Sequence, residues 1–351
     1  MVSPASGPVC PVPRGEHDRI QLGHGSGGKM SARLLRERFL PRFGNPHLDQ
    51  LGDGAVVPVE GGEIVLSTDT FVVSPLEFPG GNIGHLAVHG TLNDLAMMGA
   101  TPRWLSAGFV LEEGLPFDVL DRILDAMASA AAEAGVSVVT GDTKVVERGK
   151  ADGMFVNTTG IGILHEGFRP APGAARPGDA VLVSGPLGRH GMAVLSVREG
   201  FAFGGGIVSD TTNLSPLVAS LREGVGAPVH TLRDATRGGV ASALNEIAAA
   251  SRVGIELEGD AIPVPGAVQA ACEMLGLDPL YVANEGVMVA FVEAEAAPRA
   301  LTLLRAHEAG RGAAIVGRVV AEHAGLVVLR TGLGGTRVVD QLPGDQLPRI
   351  C

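Results

Sequence analysis

The chain has 351 residues, of which 45% are hydrophobic and only 4% aromatic, so it is long enough for two domains with aliphatic cores. Its net charge of −11 and its lack of a basic run argue against binding to nucleic acid or to an anionic membrane. No apolar run is long enough to span a bilayer and no signal-peptide pattern opens the sequence, so we expect a cytoplasmic protein.

Strands and helices alternate through the first half of the chain. Residues 1–19 contain four prolines and no periodicity, which predicts a disordered extension. The hydrophobic pattern then predicts, in order, a strand at 62–73, a helix at 82–99, a strand at 104–113, an amphipathic helix at 116–134, and strands at 135–144 and 153–164. A Pro/Gly-rich stretch at 169–179 marks a domain boundary.

The second half begins a new domain that mixes strands and helices. We place the N-terminal domain at 20–168 and the C-terminal domain at 169–330, with its last strand near 325–330. Residues 331–351 are punctuated by Gly and Pro and predict a flexible tail. The pattern alone does not decide between the α+β and α/β classes, because both halves mix strands and helices.

Four aspartates of the N-terminal domain lie at the ends of apolar segments, beside Gly, Ser, Thr or Asn. They are Asp53, Asp69, Asp94 and Asp142. Any one of them is typical of a turn or a helix cap. Four in one domain favour a site for Mg²⁺, a hard cation that typically bridges protein carboxylates and nucleotide phosphates.

A Gly-rich loop, GHGSGGKMS at 23–31, precedes a helical stretch. Backbone N–H groups of such a loop can hold phosphate. The loop is not a P-loop, because Met30 stands where that motif needs a hydroxyl and no apolar strand precedes it. It remains either a phosphate-covering loop of another kind or a plain lead into the helix.

Several other polar residues are less decisive. Asp234, in RDATRGGV, precedes a helix and suits either a ligand role or a helix cap. Glu285, in ANEG, is uninformative by itself. His85 and His89 share a helix face, as zinc ligands do, but no third ligand is evident, so structural packing is favoured.

The three cysteines, Cys10, Cys272 and Cys351, do not form a CxxC pair, which argues against a disulfide framework or a structural zinc site. Cys272 lies in a helical apolar stretch and predicts core packing. Cys351 is the last residue of the sequence, in PRIC, where we expect a mobile thiol. Such a thiol serves as a nucleophile, a group acceptor or a metal ligand, and ~15 extended residues would carry it about 50 Å.

Eight stretches of the chain resemble the HypE family of hydrogenase maturation carbamoyl dehydratases. They are HGSGGKM, STDTFVVSPLEFPGGNIG, NDLAMMGA, FVLEEGLP, VTGDTKVVERG, RDATRGGV, ANEG and LPRIC, and they cover essentially the whole chain after residue 20. The family belongs with aminoimidazole ribotide synthetase and selenophosphate synthetase.

The resemblance implies an α+β (mixed α/β) fold of two domains, each a mixed sheet with helices, with ATP and Mg²⁺ in the cleft between them. It also implies a homodimer built on the N-terminal sheets. By motif, the implied metal ligands are Asp53, Asp69, Asp94 and Asp234; the ATP-binding residues are Gly27, Gly28, Lys29, Thr70, Asn93 and Asp142; and the catalytic residues are Cys351, Lys144 and Glu285.

The implied reaction takes place on the chain's own Cys351. The carbamoyltransferase HypF would load a carbamoyl group, and ATP would drive its dehydration to a thiocyanate. Cyanide would then pass to iron held by a HypC–HypD complex, for nickel–iron hydrogenase.

Two other readings compete with this one. Selenophosphate synthetase shares the aspartates and Lys29 but needs a reactive Cys or selenocysteine in the Gly-rich loop, where this chain has only Ser26 and glycines. A non-enzymatic carrier would use Cys351 but would leave the aspartates without a role.

Overall fold

A computed structural model describes residues 20, 22–25, 28–201, 206–332, 334–342, 344, 346–347 and 349–351. The predicted extension at 1–19 and the predicted ATP-binding Gly27 lie outside these residues. Over the part of the chain that the structure describes, no helix is long and apolar enough to cross a membrane.

The N-terminal half builds a sheet with helices packed on it. Short helical segments come first: Leu22–Gly25, α1 (Lys29–Leu34), Leu35–Phe39, α2 (Leu40–Phe43) and Leu48–Gln50. The strands and helices that follow are β1 (Ala55–Val59), β2 (Gly62–Phe71), β3 (Glu77–Phe78), β4 (Gly81–Asn82), α3 (Ile83–Met97), β5 (Ala100–Glu112), α4 (Phe117–Glu133), β6 (Ser137–Val146) and β7 (Met154–Leu164).

The main N-terminal sheet has the strand order β1-β2-β7-β5-β6 among the described residues. Only β5 and β6 pair parallel in it, so the sheet is mixed. Helix α3 is buried around most of its circumference, since it lies between this sheet and other elements. Gly160 of β7 allows the close approach, because a Cβ there would come within 2.8 Å of both Leu95 and Thr91 on the helix.

The C-terminal half builds a second mixed sheet. Its elements are β8 (Ala180–Val183), α5 (Arg189–Arg198), α6 (Ser215–Gly224), β9 (Val229–Asp234), α7 (Gly239–Ser251), β10 (Gly254–Glu258), α8 (Gly266–Leu275), β11 (Met288–Val292), α9 (Ala297–Arg305), β12 (Ala314–Val320), β13 (Val327–Arg330) and β14 (Thr336–Val338). The strand order is β14-β13-β10-β12-β8-β11-β9 within the described residues, with β10 and β13 parallel. Buried strands β8 and β11 carry continuous apolar runs, as interior strands do.

The six elements predicted for residues 62–164 are confirmed, each within four residues of its predicted ends. One difference lies beyond residue 330, where the sequence predicted only an extended tail. Strand β14 pairs antiparallel with β13, with Val328 opposite Val338. Its three residues are too short for a period-2 pattern to stand out beside the neighbouring glycines. The domain boundaries themselves remain predictions.

Candidate active site

Three aspartates from both domains, of which Asp234 is buried and the other two are partly buried, meet in the cleft. Asp53 lies in the loop before β1, Asp94 lies on α3, and Asp234 is the last residue of β9. One carboxylate oxygen from each lies within 4.8 Å of the others. Since β9 ends against α3, the second domain delivers its carboxylate directly to the N-terminal pair.

Burial and mutual repulsion both destabilise the negative charge of this cluster. Burial raises the pKa of Asp53 and Asp94 well above the usual range, and the neighbouring carboxylates raise both further. Burial also raises the pKa of Asp234 to about 6. A divalent cation would relieve both the burial and the repulsion, and an all-oxygen donor set suits Mg²⁺. The residues present therefore fit the predicted metal.

Two polar contacts hold the cluster in place. The Arg233 guanidinium lies 2.7 Å from the Asp53 carboxylate and 2.8 Å from that of Glu246. The Ser67 hydroxyl donates a hydrogen bond of 2.6 Å to Asp94. These contacts orient the oxygens without cancelling the negative charge, because Arg233 faces several carboxylates at once.

The fourth predicted metal ligand, Asp69, lies beside the cluster. Its charge raises the pKa of both Asp94 and Asp234, which places it within electrostatic reach of them. Its carboxylate accepts the Thr70 backbone N–H at 2.8 Å and lies 3.9 Å from Arg237. Asp69 thus stands between the three-aspartate cluster and the arginine that faces the end of the chain.

We expect Asp94→Asn to weaken Mg²⁺-dependent ATP binding by at least about tenfold, because it removes one charged oxygen from the cluster. The melting temperature without ATP should hold or rise, since a buried charge near like charges is lost. Calorimetric titration with Mg·ATP measures the first effect. The exposed Asp125→Asn on α4 is the control. A normal affinity in Asp94→Asn would remove Asp94 from the ligand set.

The Cys351 thiol lies in the same cleft. The residue is only 8% exposed, and Glu285, against which the thiol lies, is only 3% exposed. Burial raises the pKa of the thiol well above its usual range, and Glu285 raises it further, while the Arg237 guanidinium acts in the opposite direction. The docked thiol is therefore protonated at neutral pH.

Glu285 itself is buried among other carboxylates. Burial raises its pKa well above the usual range, and the carboxylates of Asp234, Asp69 and Asp210 raise it further. One carboxylate oxygen of Glu285 is buried without a hydrogen-bond partner among the described residues. Buried carboxyls with raised pKa values are typical of general acids and bases.

The contacts of the loop ANEG, residues 283–286, explain how Glu285 is positioned in the cleft. The Asn284 side chain donates to the Ala235 carbonyl at 2.9 Å, which ties the loop to the end of β9. The Glu285 backbone N–H donates to the Asp210 carboxylate at 2.8 Å. A Cβ on Gly286 would lie 1.8 Å from the Asp210 carbonyl oxygen, so only Gly fits there. The loop therefore presents Glu285 to the cleft in a fixed position.

The described part of the Gly-rich loop contacts the chain's last segment. Gly28 is buried, and the Lys29 backbone N–H donates to the Leu342 carbonyl at 3.0 Å. The Lys29 ammonium lies 2.5 Å from the exposed Asp340 carboxylate. Helix α1 begins at Lys29, so the loop does lead into a helix. Its role towards phosphate stays a prediction.

Two other predicted ATP-binding residues make contacts within the protein. The Asn93 amide donates to the Thr212 carbonyl at 3.0 Å and accepts the Leu214 backbone N–H at 2.7 Å. It therefore ties α3 to the second domain. The Thr70 hydroxyl accepts from the Asn157 amide at 2.9 Å on the exposed part of β2. Neither contact tests a role in ATP binding.

Asp142 and Lys144 lie apart from the cleft in this chain. Both are exposed on β6, the edge strand of the N-terminal sheet, and the Lys144 ammonium lies 2.5 Å from the Asp142 carboxylate. Hydrogen bonds from Lys144 and the Thr143 backbone lower the pKa of Asp142. The two side chains thus form a solvent-exposed ion pair.

The sheet register gives the separation between Lys144 and the cleft. Lys144 on β6 pairs with Val110 on β5, and Val110 pairs with Phe155 on β7. The next residue, Val156, pairs with Phe71 at the end of β2, one residue before the Val72 that bonds Cys351. Three strand spacings of about 4.8 Å each make roughly 14 Å. A single chain therefore does not bring Lys144 to Cys351, in contrast to Glu285.

The structure gives packing contacts to His85, His89 and Cys272, the residues for which the sequence favoured packing over metal binding or chemistry. The His85 ring contacts its helix cap Asn82, and His89 bonds the Thr211 hydroxyl at 3.1 Å. Neither belongs to a group with metal-ligand spacing, since the three aspartates form the one such group among the described residues. Cys272, on α8, is buried in an apolar cluster, which confirms core packing. Cys10 lies outside the described residues.

Some residues of the site were not singled out from the sequence, among them two arginines and Asp210. Arg233 and Arg237 face the carboxylates, and their flanking of Asp234 in RDATRGGV was the available signal. Asp210 holds the Glu285 backbone, but a contact between residues 75 positions apart leaves no local pattern.

Two family models match the chain, and they define its class. Residues 51–164 match the AIR synthase related protein N-terminal domain, and residues 176–329 match the C-terminal domain of the same family. The two matches agree with the two mixed sheets and with the cleft between them, so the chain is an AIR synthase-related protein.

Curated relatives narrow the class further. The carbamoyl dehydratase HypE of Rhizobium leguminosarum bv. viciae is 53% identical over 333 residues, which cover 95% of each chain. The carbamoyl dehydratase HypE of Escherichia coli K12 is 46% identical over 340 residues, which cover 95% of this chain and 100% of the relative. The chain belongs to the HypE family of carbamoyl dehydratases, which confirms the family and the fold class predicted from the sequence.

Solved structures agree with this assignment. A HypE–HypF complex contains a chain that is 46% identical, with a TM-score of 0.84 over 88% of this chain and 99% of that one. A HypE in complex with ATP is 49% identical, with a TM-score of 0.80 over 94% of this chain and 99% of that one. The Escherichia coli HypE structure is 45% identical, with a TM-score of 0.80 over 91% and 100%.

Proposed function

We propose that this enzyme uses Mg·ATP to dehydrate an S-carbamoyl group on its own Cys351 to a thiocyanate. The observation that carries the proposal is the position of the Cys351 thiol, buried against Glu285 in the cleft that holds the three-aspartate cluster. The acceptor thiol of Cys351, the proposed base Glu285 and the three-aspartate cluster thus belong to one site.

The reaction balances with one ATP for each carbamoyl group. The carbamoyl oxygen attacks the γ-phosphorus and ADP leaves, so a poor leaving group becomes a phosphate ester. The C–O bond then breaks, the two nitrogen protons depart, and Cys351–S–C≡N and phosphate remain. Asp53, Asp94 and Asp234 would hold Mg²⁺, which would neutralise charge on the phosphates.

Glu285 is the proposed acceptor of a nitrogen proton. Its buried carboxylate lies beside the sulfur that carries the carbamoyl group, and a pKa raised by burial makes it a stronger base than an exposed glutamate. Arg237 lies within electrostatic reach of Cys351, Asp69 and Glu285. Its positive charge would stabilise the anionic oxygen that develops as the amide reacts.

The proposed partners follow from the same site. The carbamoyltransferase HypF would load Cys351, as the HypE–HypF complex of a relative suggests. Since the docked thiol is buried, the end of the chain must leave the cleft to be loaded. The cyanide would pass to a HypC–HypD complex for nickel–iron hydrogenase.

The proposed assembly is a homodimer that completes the site. Edge strand β6 exposes Val139 at 60% and Val145 at 68%, and Trp104 on neighbouring β5 is exposed at 43%. An open apolar edge of this kind invites pairing with another strand. In a two-fold dimer, β6 of the partner subunit would supply Asp142 and Lys144 to this cleft, which would give both residues their predicted roles.

Subunit mixing tests that arrangement. Lys144→Ala and Cys351→Ala should each be inactive alone. The co-expressed mixture should recover about a quarter of wild-type turnover, because half of random dimers are mixed and one of the two sites in each mixed dimer is complete. Thiocyanate formation by the co-expressed variants is the readout. If the mixture stays inactive while mixed dimers are demonstrated by tagged pull-down, Lys144 does not act across the interface.

The reaction itself is tested by ATP hydrolysis with and without a carbamoyl group on Cys351. Loaded enzyme should release one phosphate per chain in a single burst, whereas unloaded enzyme should release little. A non-enzymatic carrier would hydrolyse no ATP in either state. A selenophosphate synthetase-like enzyme would respond to selenide and not to carbamoylation.

A further inference from the structure

The last residues of the chain lie beside the segment that follows β2. The Val72 backbone N–H donates to the Cys351 main-chain oxygen at 3.1 Å, and the Ser74 N–H donates to the Arg349 carbonyl at 3.2 Å. The two bonds join residues that are two positions apart on each segment, which is an antiparallel pairing of main chains, although Arg349 itself has a left-handed φ of 56°. It fixes the register of the segment, and with it the depth of Cys351 in the cleft.

Two side chains of α5, Arg198 and His190, donate hydrogen bonds to carbonyls of this segment. The Arg198 guanidinium donates to the Arg349 carbonyl at 2.5 Å and to the Ser74 carbonyl at 2.8 Å. It thereby clamps the segment and its neighbour together. Charge-assisted bonds of this kind are stronger than neutral ones.

His190 holds the next carbonyl along. Its Nε2 lies 2.8 Å from the Ile350 carbonyl, and its Nδ1 lies 2.8 Å from the Ser209 hydroxyl. A carbonyl only accepts, so Nε2 carries the hydrogen and Nδ1 accepts from Ser209. The ring is buried and stacks edge-on against Phe78, so its direction is fixed. Burial lowers the pKa of His190 to about 4, which keeps this neutral form.

The side chains of the segment add a second level of recognition. Ile350 is only 2% exposed and packs in the apolar core of the N-terminal domain. The Arg349 guanidinium bonds the Asp152 carboxylate and the Val72 carbonyl. The main-chain contacts and the side-chain contacts of the segment therefore fix the same register.

We propose that Arg198 and His190 are positioning residues that dock the end of the chain and hold the Cys351 sulfur against Glu285. They contact the two residues before the cysteine and not the reacting atoms, so they act through the segment. The docking role stands on the contacts alone, whereas its consequence for turnover rests on the proposed function.

Alkylation of the full-length chain by iodoacetamide, without ATP or carbamoyl donor, tests the docking role. Peptide mass spectrometry would follow Cys351, with buried Cys272 as an internal control for unfolding. We expect Arg198→Ala to speed labelling of Cys351 by about tenfold or more while Cys272 stays slow, because the segment loses its charge-assisted bonds. Arg198→Lys, which keeps a charged donor, should recover part of the protection.

Arg305→Ala is the matched control, because Arg305 also donates to a main-chain carbonyl, that of Ala313, away from the cleft. It should leave the labelling of Cys351 unchanged. His190→Gln, whose amide can still donate to the Ile350 carbonyl, should be protected, and His190→Leu should not. Unchanged labelling of Cys351 in both Arg198→Ala and His190→Leu would overturn the proposal.

Single-turnover dehydration of carbamoylated enzyme tests the catalytic consequence separately. Arg198→Ala should slow conversion about tenfold with ATP affinity unchanged, and Arg198→Lys should restore part of it. If the labelling effect appears and conversion does not slow, the residues dock the segment but do not position it for reaction, and the catalytic half of the proposal is wrong. If no wild-type conversion occurs while the labelling effect appears, the proposed function fails and the docking role stands.

Discussion

Replacing Cys351 by Ala is expected to abolish thiocyanate formation completely while the fold and ATP binding survive. The variant lacks the sulfur that accepts the carbamoyl group. Of the other cysteines, Cys272 lies on α8 and is buried, and burial raises its pKa to about 11, so it is a poor nucleophile. The main-chain bonds of the docked segment do not involve the sulfur and persist in the variant.

The measurement is transfer of labelled carbamoyl to the chain in the presence of HypF and ATP, followed by assay of protein-bound cyanide. Cys272→Ala is the matched control, and it should retain full labelling. Labelled cyanide on the Cys351→Ala chain would show that another residue is the acceptor.

Glu285→Gln is expected to slow conversion of the loaded enzyme by ~10²–10⁴-fold, the usual contribution of a general base. Glutamine has the shape of glutamate but cannot accept the nitrogen proton. The fold should tolerate the change, because it removes a buried charge that faces Asp234, Asp69 and Asp210. Mg·ATP affinity should stay within a few-fold of wild type.

Single-turnover conversion and calorimetric ATP binding should be measured on the same preparation. Glu256→Gln serves as the control, because Glu256 is a little-exposed carboxylate that pairs with Arg318 and Arg330 on the far sheet. Near-normal conversion in Glu285→Gln would leave Lys144 or a water as the base. A parallel loss of ATP affinity would instead assign Glu285 to nucleotide binding.

The elements of the N-terminal domain were predictable because their local patterns are strong. Helix α4 alternates apolar and polar residues at the helical period, and β2 and β7 are bounded by turn residues. The π-helical turn at Leu35–Phe39 and the short β14 were not predicted. Neither has a periodic signal, and β14 depends on its pairing with β13.

The site was predictable residue by residue but not as an arrangement. Asp53, Asp94 and Asp234 each stand in a recognisable motif, yet their approach within 4.8 Å depends on how two domains pack. The same limit applies to Lys144, whose motif suggested the cleft. Strand order places β6 at the sheet edge, and no local pattern specifies strand order.

The contacts that dock the end of the chain were the least predictable from the sequence. Arg198 and His190 bond main-chain carbonyls more than 150 positions away, and main-chain recognition leaves no complementary residue type to find. The tail was predicted to be flexible, whereas its described end is buried in the cleft. Both states are needed by the proposed cycle, since loading requires the thiol outside and dehydration requires it inside.

The most direct test of the central claim is the intact mass of carbamoylated enzyme before and after a single turnover with Mg·ATP, with released phosphate counted in the same sample. We predict that each chain loses the mass of one water, localised to Cys351, and that one phosphate is released for each water lost. Phosphate release without that mass loss, or the same mass loss without ATP, would contradict ATP-dependent dehydration at Cys351.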